Sequence, residues 1–419
     1  MQAQASDREK LGPLAEGLAI ALAASLPWST SATGILAVLW LLAVVATVDL
    51  PSLRRIVMTP AALLPLLFVA LGALGMLWAD VTWAERFQGI GSFLKLLCIP
   101  LLLWQFSRTN RAQRVLVGFL AACVLLLAYS WIMFAWPSVP AIGNAQSVAT
   151  PVKDYISQSA MFTACVFIVA YLACDYWRAG RRYLALALLA LALMFMVNVL
   201  YIATSRTALV VISVLLVLFG YRQFKWKGVI GFVAGFAILA AIAWPSAAYL
   251  QIRVISFFEE VQAYHSGGGA PTPAGERLEF WQKSLGFIKT APIIGHGTGS
   301  IREQFRLSAV GKTGMAGEVS SNPHNQNLAT GIQLGLVGMA LLLAMWAAHA
   351  ALFRSAGLAA WVGLVVVVQN ILSSLFNSHL ADFTHGWLYV VGVGIAGGVS
   401  LREKRLAQEI ADAPTPEPR

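Results

Sequence analysis

Apolar stretches of about 20 residues recur along almost the whole chain, and this repetition limits the possible folds more than any other feature. A helix of about that length crosses the hydrocarbon core of a bilayer. In lipid every backbone N–H and C=O group needs an internal partner, which only helices and closed barrels provide. Only 11% of the residues are charged, whereas about a quarter are charged in a soluble domain. The sequence therefore predicts an all-α polytopic membrane protein.

Twelve transmembrane helices are predicted from the apolar stretches. The predicted spans are residues 12–28, 32–49, 61–79, 88–106, 114–136, 157–177, 183–203, 207–221, 227–246, 326–352, 356–375 and 386–400. The chain then divides into nine spans within 1–246, a large loop at 247–325, three spans within 326–400 and a tail at 401–419. The first span is short and contains Glu16, so a cleaved signal peptide is its alternative interpretation. The acidic residues of its leading segment, "QASDREK", argue against that alternative.

The basic residues predict the orientation. The net charge of +10 is compatible with nucleic-acid binding, but its distribution indicates a different cause. With the N-terminus in the cytoplasm, the inner segments hold 18 lysines and arginines, and the short outer loops hold only Arg86, Lys153 and Arg206. This asymmetry follows the positive-inside rule and predicts cytoplasmic termini, a large loop on the outer side and no nucleic-acid partner. All four cysteines lie in predicted spans, so we interpret them as small apolar side chains and predict no disulfide.

Two predicted helix starts on the outer side carry an arginine. In "YIATSRTALVV", Thr204 or Ser205 can cap a helix that has Arg206 in its first turn. The second helix, from Thr272 and Pro273, places Arg277 near its start. A helix N-terminus is partially positive and binds phosphate, so an arginine there favours a nearby anion.

Together these two starts predict a phosphate or pyrophosphate site. Trp281 lies one helical turn after Arg277, on the same side of the second helix. From the residues alone, Arg206 is equally well read as an anchor to lipid head groups. Arg277 is equally well read as the partner of Glu276 or Glu279 on a solvated face.

The stretch "SSNPHNQNLATG" places a histidine at a third helix start. Here the sequence predicts Asn322 as the cap, Pro323 in the first helical position and His324 directly after it, followed by Asn325. The positive end of the helix disfavours a protonated imidazole, and a neutral imidazole can act as a general base. The structural alternative for His324 is an interfacial capping residue.

Other polar groups lead to weaker hypotheses. Lys95 lies deep in the fourth span and either lines a cavity or is a buried structural charge. His379, Asp382 and His385 cluster in "NSHLADFTHG", but solvated loop side chains are the favoured interpretation over a metal site. The turn "PIIGHGTGS" lacks the spacing of a nucleotide-binding loop and follows no strand, which argues against a nucleotide site.

Two blocks of the sequence resemble segments of the bacterial O-antigen ligase and polymerase superfamily. They are "GERLEFWQKSL" with "PIIGHGTGS", similar to the family's G-R-x-x-x-W and P-x-x-G-x-G-x-G segments, and "NPHNQNLATGIQLGLVG". The first block departs from the pattern, because Glu276 separates Gly275 from Arg277. The motifs cover roughly residues 204–208 and 275–338, and the predicted topology, with a large loop before the tenth span, is also similar.

The resemblance implies a GT-C-like membrane glycosyltransferase of a Gram-negative inner membrane, with a periplasmic active site. It implies transfer of O-antigen from undecaprenyl pyrophosphate to the lipid A–core oligosaccharide, without a metal or other cofactor. Essential arginines and an essential histidine of the family match Arg206, Arg277 and His324 by position. The further substrate-binding candidates are Asn322, Asn325, Lys95 and Trp281.

Three alternative functions stay open. An O-antigen polymerase uses the same donor with a second lipid-linked glycan as acceptor, and a protein oligosaccharyltransferase of the same superfamily uses a protein. A transporter of lipid-linked glycans is the alternative of a different class. Transporters place polar groups along mid-membrane helices and often have inverted repeats, whereas here Lys95 is the single deep charge and the other candidates lie on one face.

Overall fold

The computed structural model describes residues 2–143, 149–243, 255–256, 259–262, 264 and 272–412. Within these ranges every regular element is helical and no strand is present, which confirms the all-α prediction. The α-helices are α1 Gln2–Ser25, α2 Thr30–Thr47, α3 Leu50–Val57, α4 Pro60–Gly75, α5 Trp83–Gly91, α6 Cys98–Phe106, α7 Ala112–Ala135, α8 Tyr155–Arg178, α9 Arg182–Tyr201, α10 Arg206–Ala243, α11 Pro273–Thr290, α12 Ile301–Ala309, α13 Gln326–Leu352, α14 Leu358–Ser373 and α15 Phe383–Ala411.

The helices define a multi-pass membrane protein, although the number of spans depends on how bent helices are counted. Seven helices of the described residues are long and apolar enough to cross a membrane, and nine are if each bent pair is one span. The bent pairs are α3 with α4, at 83°, and α5 with the helix at Leu94–Phe106, at 46°. Two apolar helices, Leu11–Ser25 and Leu358–Ser373, are shorter. The count of twelve stays a prediction.

Helix α10 is a hairpin rather than one straight rod. Its backbone leaves the helical region at Lys225, where φ is 57°. The rings of Phe219 and Phe232 lie 6.0 Å apart, whereas thirteen residues of continuous helix rise about 20 Å. The chain therefore doubles back at Lys225, where the sequence predicts the break between the spans 207–221 and 227–246.

Helices α8 and α15 lie at the centre of the bundle. In the most apolar stretch of each helix, 78% of α8 and 89% of α15 is buried within the protein. The corresponding share is 28% in α2 and in α9, so most of the surface of these two helices is left to lipid. Glycines allow α15 to approach α6 closely, because a Cβ on Gly394 or Gly397 would meet the side chains of Leu102 and Leu103. Small residues at such crossings are typical of packed membrane helices.

The loop "PIIGHGTGS" fills a break in helix α13. The break lies at Gly335, where φ is 62°. The N–H groups of His296 and Gly297 donate to the carbonyls of Ile332 and Gln333, both at 2.8 Å. In return, the N–H groups that follow Gly335 donate to the carbonyls of Pro292, at 2.8 Å, and Ile293, at 3.1 Å. The loop thus replaces the backbone hydrogen bonds that the break removes from the helix.

The same loop is fastened to helix α4. Thr298 donates its N–H to the carbonyl of Gly75 at 3.0 Å and its hydroxyl to the carbonyl of Gly72 at 2.6 Å. The N–H of Gly299 donates to Oε1 of Gln333 at 2.8 Å. These N–H groups are used within the protein, so the glycines of this motif form a structural junction rather than a phosphate cradle.

We expect Gly297→Ala to destabilise the protein, because φ at this position is +89° and a Cβ would lie 2.5 Å from Cα of Ala79. Left-handed strain alone costs about 1–3 kcal/mol, and the clash adds to it. Gly311→Ala is the matched control, since its φ is +74° and nothing lies within 4 Å of the added Cβ. Thermal unfolding in detergent should show a clearly lower midpoint for Gly297→Ala. Equal midpoints for the two variants would contradict the junction.

Candidate functional site

The starts of α10 and α11 and the segment before α13 meet at one end of the bundle, which we call the site end. Arg206 is the first residue of α10, as predicted. Its Nη2 lies 3.6 Å from Oε1 of Glu260. The other carboxylate oxygen of Glu260 accepts the N–H of Ala274, in the first turn of α11, at 3.1 Å. A carboxylate therefore bridges an arginine and a helix start, in agreement with an anion-binding function for this place.

Arg277 is a half-buried guanidinium on α11. The predicted start of this helix is confirmed, because the Thr272 side chain accepts the N–H of Gly275 at 3.1 Å. Burial and the neighbouring charge of Arg206 lower the pKa of Arg277. Among the described residues Arg277 makes no hydrogen bond or ion pair, so the alternative interpretation, an ion pair with Glu276 or Glu279, is not observed. Instead Glu279 pairs with Lys283 at 3.6 Å.

The local structure around His324 differs from the predicted cap. Helix α13 begins at Gln326, and its cap is Asn325, whose side chain accepts the N–H groups of Asn327 and Leu328. The prediction of Asn322 as the cap is therefore wrong. His324 lies outside the helix in the left-handed region, with φ at 53°.

Asn322 holds this left-handed segment in place. Its Oδ1 accepts the N–H of His324 at 2.9 Å and the hydroxyl of Ser378 at 2.8 Å. Its Nδ2 donates to Oδ1 of Asn377 at 2.7 Å. Asn325 also uses its amide within the protein, donating to the carbonyl of Leu375 at 3.1 Å. The structure assigns both asparagines to positioning this loop.

The hydrogen bonds of Asn377 determine which nitrogen of His324 is free. Nδ1 of His324 lies 3.2 Å from Oδ1 of Asn377. That oxygen also accepts Nδ2 of Asn322 and the N–H of Ser378, so it is an acceptor and Nδ1 is the donor. A neutral His324 therefore carries its proton on Nδ1 and keeps the lone pair on Nε2. Among the described residues Nε2 has no hydrogen-bond partner.

The surroundings of His324 favour its neutral form. Burial lowers the pKa of His324 below its usual value, and the charge of Arg277 lowers it further, while the hydrogen bond to Asn377 opposes both. Its ring stacks on Phe280, with centroids 6.1 Å apart and planes at 15°. Phe280 lies on α11 three residues after Arg277, so one helix provides both the ring contact and the charge.

The remaining substrate-binding candidates, Trp281 and Lys95, differ in their polar contacts. Trp281 lies one turn after Arg277 on α11, and its Nε1 is buried with no partner among the described residues. Lys95 is buried, and its Nζ donates to the carbonyls of Ala381 and Asp382 at 2.8 and 2.6 Å. The ammonium group of Lys95 thus fastens the loop before α15, which agrees with its structural interpretation.

His379, Asp382 and His385 form a cluster beside the site end, in which both imidazoles are buried and the carboxylate of Asp382 is partly exposed. The two imidazoles stack with centroids 3.9 Å apart, and Nδ1 of His385 lies 2.9 Å from Oδ1 of Asp382. Burial opposes ionisation of Asp382, but the hydrogen bonds and charge of His385 lower its pKa. The described residues contain no group of three side chains able to hold a metal ion. Both histidines are buried, which differs from the solvated loop predicted for them.

The structure also adds residues that the sequence analysis missed. Glu260 contacts Arg206, Asn377 bonds to His324, and Phe280 stacks on His324. Phe280 lies within the block "GERLEFWQKSL", and Asn377 is the first residue of the stretch "NSHLADFTHG". Glu260 is one of several acids in the long loop, and Asn377 lies 53 positions after His324. No local pattern in the sequence distinguishes either.

The apolar helical bundle defines a multi-pass membrane protein, and it gathers Arg206, Arg277, His324 and two helix starts at one end. Residues 191–343 match a family model described as O-Antigen ligase. This segment runs from α9 into α13 and includes Arg206, Arg277 and His324. The match confirms the resemblance to the O-antigen ligase and polymerase superfamily.

One relative supports only a partial comparison. A Haemophilus influenzae protein described as "Uncharacterized protein" is 30% identical over 132 residues. The alignment covers 30% of this chain and 33% of the relative, so the chain spans about a third of that protein's length. The description of this relative names no activity, so the similarity gives no functional information beyond the family match.

We predict that the activity of the protein needs the neutral form of His324. Because burial and the charge of Arg277 lower its pKa, the fall of kcat/KM on the acidic side should lie at lower pH than an ordinary histidine would give. Asn377→Ala should reduce kcat about 10- to 100-fold, a part of the roughly 10²–10⁴ that a positioned base supplies. In the wild type the hydrogen bond to Asn377 raises the pKa of His324. Its loss in Asn377→Ala should therefore lower this pKa and move the acidic limb of the pH profile to lower pH.

Ser378→Ala is the control for this variant. It removes the hydrogen bond to Asn322 from the same loop but no bond to His324. Its acidic limb should match that of the wild type. If the acidic limb of the pH profile does not move in Asn377→Ala, the assigned role of Asn377 is contradicted. A folding defect alone would lower activity without changing the pH profile.

Proposed function

We propose that the protein is an O-antigen ligase of the bacterial inner membrane. It transfers O-antigen polysaccharide from undecaprenyl pyrophosphate to the lipid A–core oligosaccharide. The reaction takes place on the periplasmic face, inverts the configuration of the transferred sugar and needs no metal ion.

The observation that carries the proposal is the guanidinium of Arg277. It is half buried and lies near the charge of Arg206, and among the described residues it forms no hydrogen bond or ion pair, so Glu260 and Glu276 offset its charge only from a distance. Burying a charge without a partner is costly, so this arrangement favours an anionic ligand. The adjacent N-terminus of α11 adds a further partial positive charge. A diphosphate matches these groups better than a single carboxylate, because its oxygens can reach both arginines.

The proposed reaction is a single displacement at the anomeric carbon of the donor sugar. A hydroxyl of the acceptor attacks this carbon while the bond from the carbon to the pyrophosphate oxygen breaks. The electron pair of that bond leaves with the pyrophosphate, and Arg206 and Arg277 stabilise the growing negative charge. In this way the arginines take the part that a divalent metal plays in many other glycosyltransferases.

The proton of the acceptor hydroxyl goes to Nε2 of His324. This nitrogen holds the free lone pair, because Nδ1 is occupied by Asn377. The stack with Phe280 and the loop bonds of Asn322 keep the ring in one orientation. Attack from the face opposite the leaving group inverts the anomeric configuration.

The test of the whole proposal is transfer by the purified protein. The donor is a defined glycan on undecaprenyl pyrophosphate, and the acceptors are lipid A–core, a second lipid-linked glycan and a protein, in separate reactions containing EDTA. Product on lipid A–core supports a ligase. Product only on the lipid-linked glycan or on the protein identifies the polymerase or the protein oligosaccharyltransferase instead. A transporter forms no covalent product.

His324→Ala should reduce the rate of transfer by about 10²–10⁴-fold, the usual contribution of general base catalysis. The measurement is the initial rate of product formation with folded protein. His296→Gln is the matched control, because His296 contacts Thr290 and the carbonyl of Phe287 at the end of α11 and not the site end. A folded His324→Ala protein with nearly wild-type transfer would exclude His324 as the base.

Arg206→Lys should raise the KM for the lipid-linked donor and lower kcat, because an ammonium group cannot make the two-pronged contact of a guanidinium with phosphate. Arg302→Lys is the control, since Arg302 is an exposed arginine on α12. The measurement is the dependence of the transfer rate on donor concentration. Full activity of Arg206→Lys would count against a phosphate clamp.

A further inference from the structure

The carboxylate of Glu260 occupies the place that the proposed function gives to the donor's pyrophosphate. Oε1 of Glu260 lies 3.6 Å from Nη2 of Arg206, and Oε2 accepts the N–H of Ala274 at 3.1 Å. The charge of Glu260 also raises the pKa of Arg277, against the larger effects of burial and Arg206. One side chain thus acts on both arginines and on the start of α11.

The contact between Glu260 and Arg206 is loose. It is a single approach at 3.6 Å, and no hydrogen bond joins the two side chains. By contrast, Arg306 holds Glu303 with two hydrogen bonds of 2.6 and 2.7 Å. The side chain of Arg206 is 35% exposed and that of Glu260 is 16% exposed, and partly exposed ion pairs contribute little to stability. A stronger anion can therefore replace this carboxylate.

The segment that carries Glu260 is fastened close to the site. Oη of Tyr264 lies 3.0 Å from Oε2 of Glu279 and 2.9 Å from Oε1 of Gln282, both on α11. Glu260 precedes Tyr264 by about one helical turn, and it faces the first turn of the same helix. The fold therefore presents Glu260 to the arginines through a second, independent contact with α11.

We propose that Glu260 is a built-in anion that neutralises the empty site and that the pyrophosphate of the lipid-linked donor displaces. This inference rests on the proposed function. A carboxylate has one charge and two oxygens, so it leaves Arg277 unpaired, whereas a diphosphate can contact both arginines and the helix start together. Singly charged or monodentate anions gain less from displacing Glu260, so the residue favours diphosphates over the phosphates of ordinary lipids.

The test is inhibition of transfer by inorganic pyrophosphate and by inorganic phosphate. Removing a competing charge should tighten the binding of pyrophosphate, so in Glu260→Gln the inhibition constant should fall about threefold or more, the size expected for a partly exposed charge. The preference for pyrophosphate over phosphate should decrease in the same variant. Glu259→Gln is the matched control, because Glu259 is an exposed neighbour of the same type.

The outcomes separate this inference from the proposed function. An inhibition constant that is unchanged in Glu260→Gln excludes a competing anion but leaves the arginine site intact. A higher constant also overturns the inference, because Glu260 would then be a residue that positions Arg206 for the ligand. If pyrophosphate inhibits neither the wild type nor the variant while transfer continues, the arginine site itself is wrong. The amide of Gln keeps the oxygen that accepts the N–H of Ala274, so folding should be preserved.

Discussion

The break in helix α13, closed by the loop from Pro292 to Thr298, is the constraint on which the site depends. A broken helix within a bilayer exposes backbone groups that lipid cannot satisfy. The loop supplies those hydrogen bonds and is also the direct continuation of α11. The helix that carries Arg277 is therefore fixed to the helix that follows His324. The contact of Thr298 with α4 extends this junction to the first half of the chain.

The positive charge of Arg277 affects both the proposed binding of an anion and the pKa of His324, the proposed proton acceptor. In the free protein this charge helps to keep the pKa of His324 low. An anion bound to Arg277 offsets part of the charge, and the pKa of His324 then rises toward its ordinary value. A base with a higher pKa accepts a proton more readily. In the proposed reaction the histidine thus becomes a stronger base only when the leaving group is in place.

The parts of the structure that depend on local sequence were predictable. The helix starts at Arg206 and Thr272 follow from capping residues and apolar periodicity, and the structure confirms both. The cap at Asn322 was wrong because two asparagines, three positions apart, compete for that role and Asn325 takes it. The partners Asn377 and Glu260 depend on contacts between segments far apart in sequence. Periodicity and capping rules contain no information about such contacts.

The hairpin at Lys225 determines at which end of the bundle α10 finishes. As one straight rod, the 38 residues of α10 would be about 57 Å long, more than the thickness of a bilayer with its head groups. The chain after it would then emerge on the side opposite Arg206. Because the helix doubles back, its far end returns toward the end where it began, and Glu260 and Arg277 lie there beside Arg206. The reversal at one residue with a left-handed backbone thus belongs to the geometry that lets the charges of the site lie together.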